Sequence, residues 1–228
     1  MRKAFCLVLL GLSLAVSAAA APSASDILNK VLSLNRGIRD YTATVTVDTN
    51  MPDLDIPRRT AKVYVKLPDK TYVESNSIVV IPKRALLFGD LAKEVQKESK
   101  VVLAGTKKVG NTPIYCLKLI PKQDTGAPTG REPRVLLWAE GSHWTVTKVQ
   151  ALTGTTVNAT VEFTYQQVQG FWMPARVNCS IPKETLGARA SGSVNVAFSN
   201  LRVNTGLTDQ FFAKKEASRR GTHHSGQH

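Results

Sequence analysis

Between Arg134 and Pro182 the chain reads RVLLWAEGSHWTVTKVQALTGTTVNATVEFTYQQVQGFWMPARVNCSIP. Four stretches rich in β-branched and aromatic residues are separated by three short turns, near Glu140-Gly141-Ser142, Thr153-Gly154 and Gln169-Gly170. Alternation of apolar and polar residues gives a strand one greasy face. Each turn carries a glycine, the residue that takes positive φ at no steric cost. Such a ladder commits the chain to an antiparallel sheet, whose apolar face must be covered or used.

The rhythm extends to both sides. Residues 41–49 alternate with Tyr41, Ala43, Val45 and Val47 on one face, and strands are also expected at 60–67, 70–75, 77–81, in VVLAGTKKVG and TPIYCLKLIPK, and at 191–204. Pro52 and Pro57 break the segment between the first two, and Pro68-Asp69 turns the chain into the third. Two segments have helical periodicity instead. Ile27, Val31 and Leu34 follow a Ser23-x-x-Asp26 capping box and stop near Gly37. Leu87, Leu91 and Val95 recur every fourth residue within 83–98. Residues 213–228 are basic, contain His223, His224 and His228, have no apolar period and are expected to be a disordered, solvated tail rather than a metal site. The expectation is a mainly β (α+β) protein: about ten strands in a strongly curved antiparallel sheet, with helices at one mouth, forming one domain over 21–212.

The first twenty residues have the form of an export signal. Arg2 and Lys3 precede an apolar run from Ala4 to Val16, and Ala18-Ala19-Ala20 supplies a small-residue cleavage site. The expected location is therefore the periplasm. Loss of that leader leaves 28 basic and 17 acidic residues, a net charge of +11. This surplus suits anionic partners, but the basic residues, among them Lys62, Lys66, Lys70, Lys118, Lys122 and Lys148, are scattered along the sequence without a base-stacking motif. Nucleic acid is not expected as a partner. Cys116 and Cys179 remain as an even pair in an oxidising compartment. In a simple meander they stand four strands apart, roughly 19 Å, whereas a disulfide needs Cα atoms within about 7 Å. A Cys116–Cys179 bridge is not favoured unless the sheet curves strongly.

Catalysis has little to work with. The folded part holds one histidine, His143, in a turn, and no nucleophile elbow, zinc-protease, redox or phosphate-loop motif occurs. No catalytic residue, metal or cofactor is expected. What remains is the apolar face, with Val45, Val47, Val63, Val65, Leu117, Leu119, Leu136, Trp138, Val161 and Phe163 at alternating positions. Each taken alone is better read as core. Two or three helices are too few to cover ten strands, which leaves a cavity or an interface. An apolar cavity suits acyl chains, at about 0.8 kcal/mol per buried CH₂. Leu87, Leu91 and Val95 would then sit on a lid.

The order of elements resembles a known family. A first helix, then KVYVKLPDKTYVE with its Leu-Pro-Asp turn, a mid-chain helix, the ladder VGNTPIYCLKLIPK … RVLLWAEGSHWTVTKVQAL … VEFTYQQVQGFWMPARVNCSIP, and the closing GLTDQFF are similar to the LolA/LolB-like carriers that sort outer-membrane lipoproteins. The same ladder resembles the N-terminal domain of the RseB/MucB regulators. The resemblance implies an unclosed β half-barrel with a helical lid over a hydrophobic cavity. It further implies lipid or lipoprotein acyl chains as ligand, inner-membrane donor and outer-membrane acceptor proteins as partners, a monomer, and no reaction. The alternative it leaves open is an envelope-stress regulator that binds an anti-sigma factor. SIVVIPKRALLFGDL stands where the carriers have an Asp-Gly-aromatic hairpin, so the resemblance does not place their lid-latching arginine on any residue of this sequence.

Overall fold

The computed structural model describes residues 21–75, 97–123 and 125–224. Ten strands are present there: β1 (Asp40–Asn50), β2 (Arg59–Lys66), β3 (Lys70–Glu74), β4 (Ser99–Val109), β5 (Thr112–Pro121), β6 (Pro133–Glu140), β7 (Val146–Thr153), β8 (Thr156–Val168), β9 (Phe171–Ile181) and β10 (Gly192–Val203). They form one antiparallel sheet in the order β3-β2-β1-β10-β9-β8-β7-β6-β5-β4. Among the described strands the two ends of this order do not pair, so the sheet is an unclosed half-barrel with β3 and β4 at its ends. Three helices that lie wholly among the described residues accompany it: α1 (Ala24–Ser33), α2 (Lys183–Leu186) and α3 (Asp209–His224). The export segment 1–20, the strand expected at 77–81 and the lid residues Leu87, Leu91 and Val95 lie outside the described residues.

The ladder folds as its turns dictate. Gly154, Gln169 and Gly170 all have positive φ, at 59°, 49° and 86°. The Ser23 hydroxyl accepts from the Asp26 N–H at 3.1 Å, and the Asp26 carboxylate accepts from the Ser23 N–H at 3.2 Å, completing the capping box of α1. The seam between the two ends of the chain is β1 against β10, from Tyr41↔Val203 to Asn50↔Ser193. Buried Asp40 locks its lower end, accepting from the Thr205 N–H and hydroxyl, each at 2.6 Å, and from the Gly206 N–H at 3.1 Å.

Cross-strand register fixes which residues share a face, since directly paired residues point the same way. One row runs Val101–Leu119–Val135–Ala151–Ala159, and the next runs Leu103–Leu117–Leu137–Val149–Val161–Cys179–Val194. Phe163–Val177–Val196–Val47 continues the same face into β1, where Val45, Ala43 and Tyr41 pair with Ala61, Val63 and Val65 of β2. This is the inner face, and two cores lie on it. One gathers Tyr41, Val45, Val63, Val65, Met173 and Phe198. The other is made by α1, whose Ile27 and Leu28 pack on Leu117, Leu119 and Ala139.

The tail departs from its expected disorder: residues 209–224 form α3. Its first turns are anchored on the outer face of β2 and β3. Phe211 lies 5.0 Å from the Tyr64 ring and 6.3 Å from Tyr72. Asp209 takes ion pairs from Lys66 (2.6 Å) and Lys70 (2.9 Å), and Lys215 pairs with Glu74 (3.0 Å). Every one of those partners is more than a hundred residues away in sequence, so a local pattern could not reveal the anchor.

Candidate functional site

Eight of the ten residues expected on the binding face do share the inner face. Five of them are filled core: Val45, Val63, Val65 and Leu117 are fully buried and Leu119 is 5 % exposed. Val47 packs against the first core. Val161 and Phe163 are half-buried and belong to neither cluster. The same holds for their inner-face neighbours Val149, Ala151, Ala159, Cys179 and Val194. An apolar span over β7, β8 and β9 therefore separates the two cores, and it is the candidate site.

Leu136 and Trp138 are the correction. Trp138 pairs with Cys116 and Lys148, and Leu136 pairs with Lys118 and Gln150, all on the outer face. Their neighbours Val135, Leu137 and Ala139 take the inner positions. The apolar run Val135–Ala139 has no alternation, so its parity is set only by pairing with Leu117 and Leu119. Lys148 Nζ sits 3.9 Å from the centre of the Trp138 ring.

The two cysteines are free. They stand four strands apart, and on opposite faces: Cys116 beside Trp138 outside, Cys179 beside Val161 inside. Burial pushes both thiols above their usual value, partly offset at Cys116 by the nearby Lys148 charge. Both therefore favour the unreactive thiol form at neutral pH.

His143 serves a turn. Its ring Nδ1 is 3.2 Å from Glu140 Oε2, and its ring lies 4.4 Å from that of Trp172. Burial draws the Glu140 carboxyl upward, but hydrogen bonds from Ser142 and from the His143 N–H outweigh it and hold the group below its ordinary value. The carboxylate is thus occupied in closing the β6–β7 turn. Among the described residues, no group of three or more His, Cys, Asp or Glu is placed to hold a metal ion. No helix among them is long and apolar enough to cross a membrane.

No protein-family model matches the chain, and no curated protein matches it in sequence. Solved structures do match its fold. A putative outer membrane lipoprotein-sorting protein domain from Vibrio parahaemolyticus superposes with a TM-score of 0.60 at 16 % identity, over 85 % of this chain and 97 % of that one. A DUF1329 family protein from Desulfovibrio piger gives 0.57 at 13 % identity, covering 84 % and 98 %. A LolA superfamily protein from Nitrosomonas europaea gives 0.52 at 14 % identity, again covering 84 % and 98 %. The architecture is thus the LolA-like half-barrel, the fold that the sequence resemblance implied.

Proposed function

We propose that this protein is an exported carrier that holds acyl chains of a lipid or lipoprotein against the inner face of its sheet and catalyses no reaction. The observation that carries this reading is the apolar span between the two cores, from Val149 and Ala159 through Val161 and Phe163 to Cys179 and Val194. Side chains fill the inner face on both sides of it, whereas the span itself belongs to neither core. An acyl chain laid there gains about 0.8 kcal/mol per buried CH₂ and needs no specific polar partner. The likeness of the fold to a lipoprotein-sorting domain supports the same reading, as does the export pattern of residues 1–20. Membrane-bound donor and acceptor proteins would load and unload such a carrier.

Extraction and native mass spectrometry of the protein from the envelope test the proposal. Copurifying lipid is expected, and Val161→Glu should abolish it while the variant still unfolds cooperatively. Lipid-free protein at every load, or retention of lipid by Val161→Glu, would sink the reading.

A further inference from the structure

The outer face divides into three zones of different chemistry. Over β2 and β3 it is covered by α3, and Lys66, Lys70 and Glu74 are engaged there. Over β1, β10 and β9 it carries mostly short uncharged groups, Thr42, Thr44 and Thr46, Ser193 and Asn195, Asn178 and Ser180, with Arg176, Arg202 and Asp48 as charged groups among them. Over β4 to β7 it is basic and apolar at once. Lys100 faces Ile120, Val102 faces Lys118 and then Leu136, Lys107 faces Ile114, and Trp138 faces Lys148. Arg134 lies on the same face, paired with Leu152. Val102 and Val109 are 38 % and 61 % exposed, so apolar surface is open among the cations. The acids stand at the margins. Glu132 lies by Arg134 and Lys118 at the upper border, Glu140 is bound into its turn at the lower one, and Glu162 faces Lys148 from β8.

We propose that the outer face of β4 to β7 docks on an anionic phospholipid surface. The cations are spread over four strands with apolar side chains between them, and this suits a diffuse layer of phosphates above hydrocarbon rather than a few fixed carboxylates. Lysine stems can lie along apolar surface with their charges at the headgroups. Trp138 carries the side chain most favoured at that boundary. A second copy of the chain is a poor occupant, because a two-fold contact would set these cations against themselves. The inference stands apart from acyl carriage, since it uses only residues on the opposite face.

The test is co-flotation of residues 21–228, the span holding every described element, with phosphatidylglycerol-containing and pure phosphatidylcholine vesicles. Binding only to the anionic vesicles, weakened by salt, is expected. The triple variant Lys100→Gln, Lys107→Gln, Lys118→Gln should bind on the order of 100-fold more weakly. The matched triple Lys62→Gln, Arg176→Gln, Arg202→Gln removes the same charge from the rest of the outer face and should stay within about threefold of the parent. Brominated-lipid quenching of tryptophan fluorescence should be lost in Trp138→Phe, although Trp144 and Trp172 remain; this second readout decides the matter if the first triple fails to fold. Val161→Glu should leave vesicle binding unchanged. Absence of binding by the parent, equal weakening by both triples, or quenching that survives Trp138→Phe would each overturn the proposal.

Discussion

The two cores on the inner face are filled in different ways. In the first, strands supply the filling: Tyr41, Val45, Val63, Val65, Met173 and Phe198 meet one another across β1, β2, β9 and β10. In the second, the strand residues Leu117, Leu119 and Ala139 are closed by a separate element, α1, through Ile27 and Leu28. Lys30 adds to this seat, lying 4.2 Å above the ring of Trp144, which in turn stacks on Tyr115 at 5.8 Å. A core built from the sheet is lost only with the sheet. A core closed by one ten-residue helix can open while the sheet survives, because such a helix is marginal without its packing.

A charge placed in each core should separate the two most sharply. Ile27→Asp should undock α1 rather than bury an unpaired carboxylate, whose burial costs several kcal/mol. Protease access near α1 and dye binding at Leu117 and Leu119 are expected, with the β1–β10 amides still protected from hydrogen exchange. Val63→Asp should instead remove protection from the whole sheet. Equal, global unfolding in both would erase the distinction.

Leucine truncation tests the face assignment at smaller scale. Leu117→Ala should cost about 2–5 kcal/mol in denaturant unfolding, whereas Leu136→Ala on the outer face should cost about 1 kcal/mol or less. Similar values for the two would contradict the register. Ser23→Ala removes only the cap of α1 and should cost about 1 kcal/mol, with increased exchange confined to residues 24–33.

The weakest expected effect concerns the outer fastening. Hydrogen bonds from Lys66 and Lys70 hold the Asp209 carboxyl down at about 2, against an ordinary 3.8. A depressed folded-state value means the contribution is present above 3.8 and is lost as pH falls toward about 2. Ring–ring NMR contacts between Phe211 and Tyr64 should therefore fade in that window, before the first core is affected. Contacts that persist unchanged would mean the aromatic packing alone holds α3.

Much of this fold was legible because its strands are joined by local turns. Thr153-Gly154 and Gln169-Gly170 announce positive φ, and β1 and β2 alternate cleanly, so their inner residues could be named in advance. The parity of Leu136 and Trp138 could not, since β6 is apolar on both faces and only its partners decide. The basic residues show the same limit. Lys66, Lys70, Lys118 and Lys148 look scattered along the chain, yet pairing gives the first two to Asp209 and places the others with Lys100 and Arg134 on one zone. Val45, Val63 and Leu117 are core, as each read singly; what stayed hidden is which part of the face is left unfilled, because an apolar strand face reads alike whether a helix, a neighbouring strand or a ligand covers it.

The strand order gives the chain an unusual divisibility. Among the described strands the two at the ends of the sheet, β3 and β4, follow one another in sequence, while β1 and β10, 162 residues apart at the Tyr41–Val203 pair, are neighbours in space. Dividing the chain between β3 and β4 would therefore separate three of the described strands from the other seven, each set a run of hairpins, still joined edge to edge along the β1–β10 seam. Co-expressed as separate polypeptides, two such halves should find each other through that seam, which would make this half-barrel a natural split reporter.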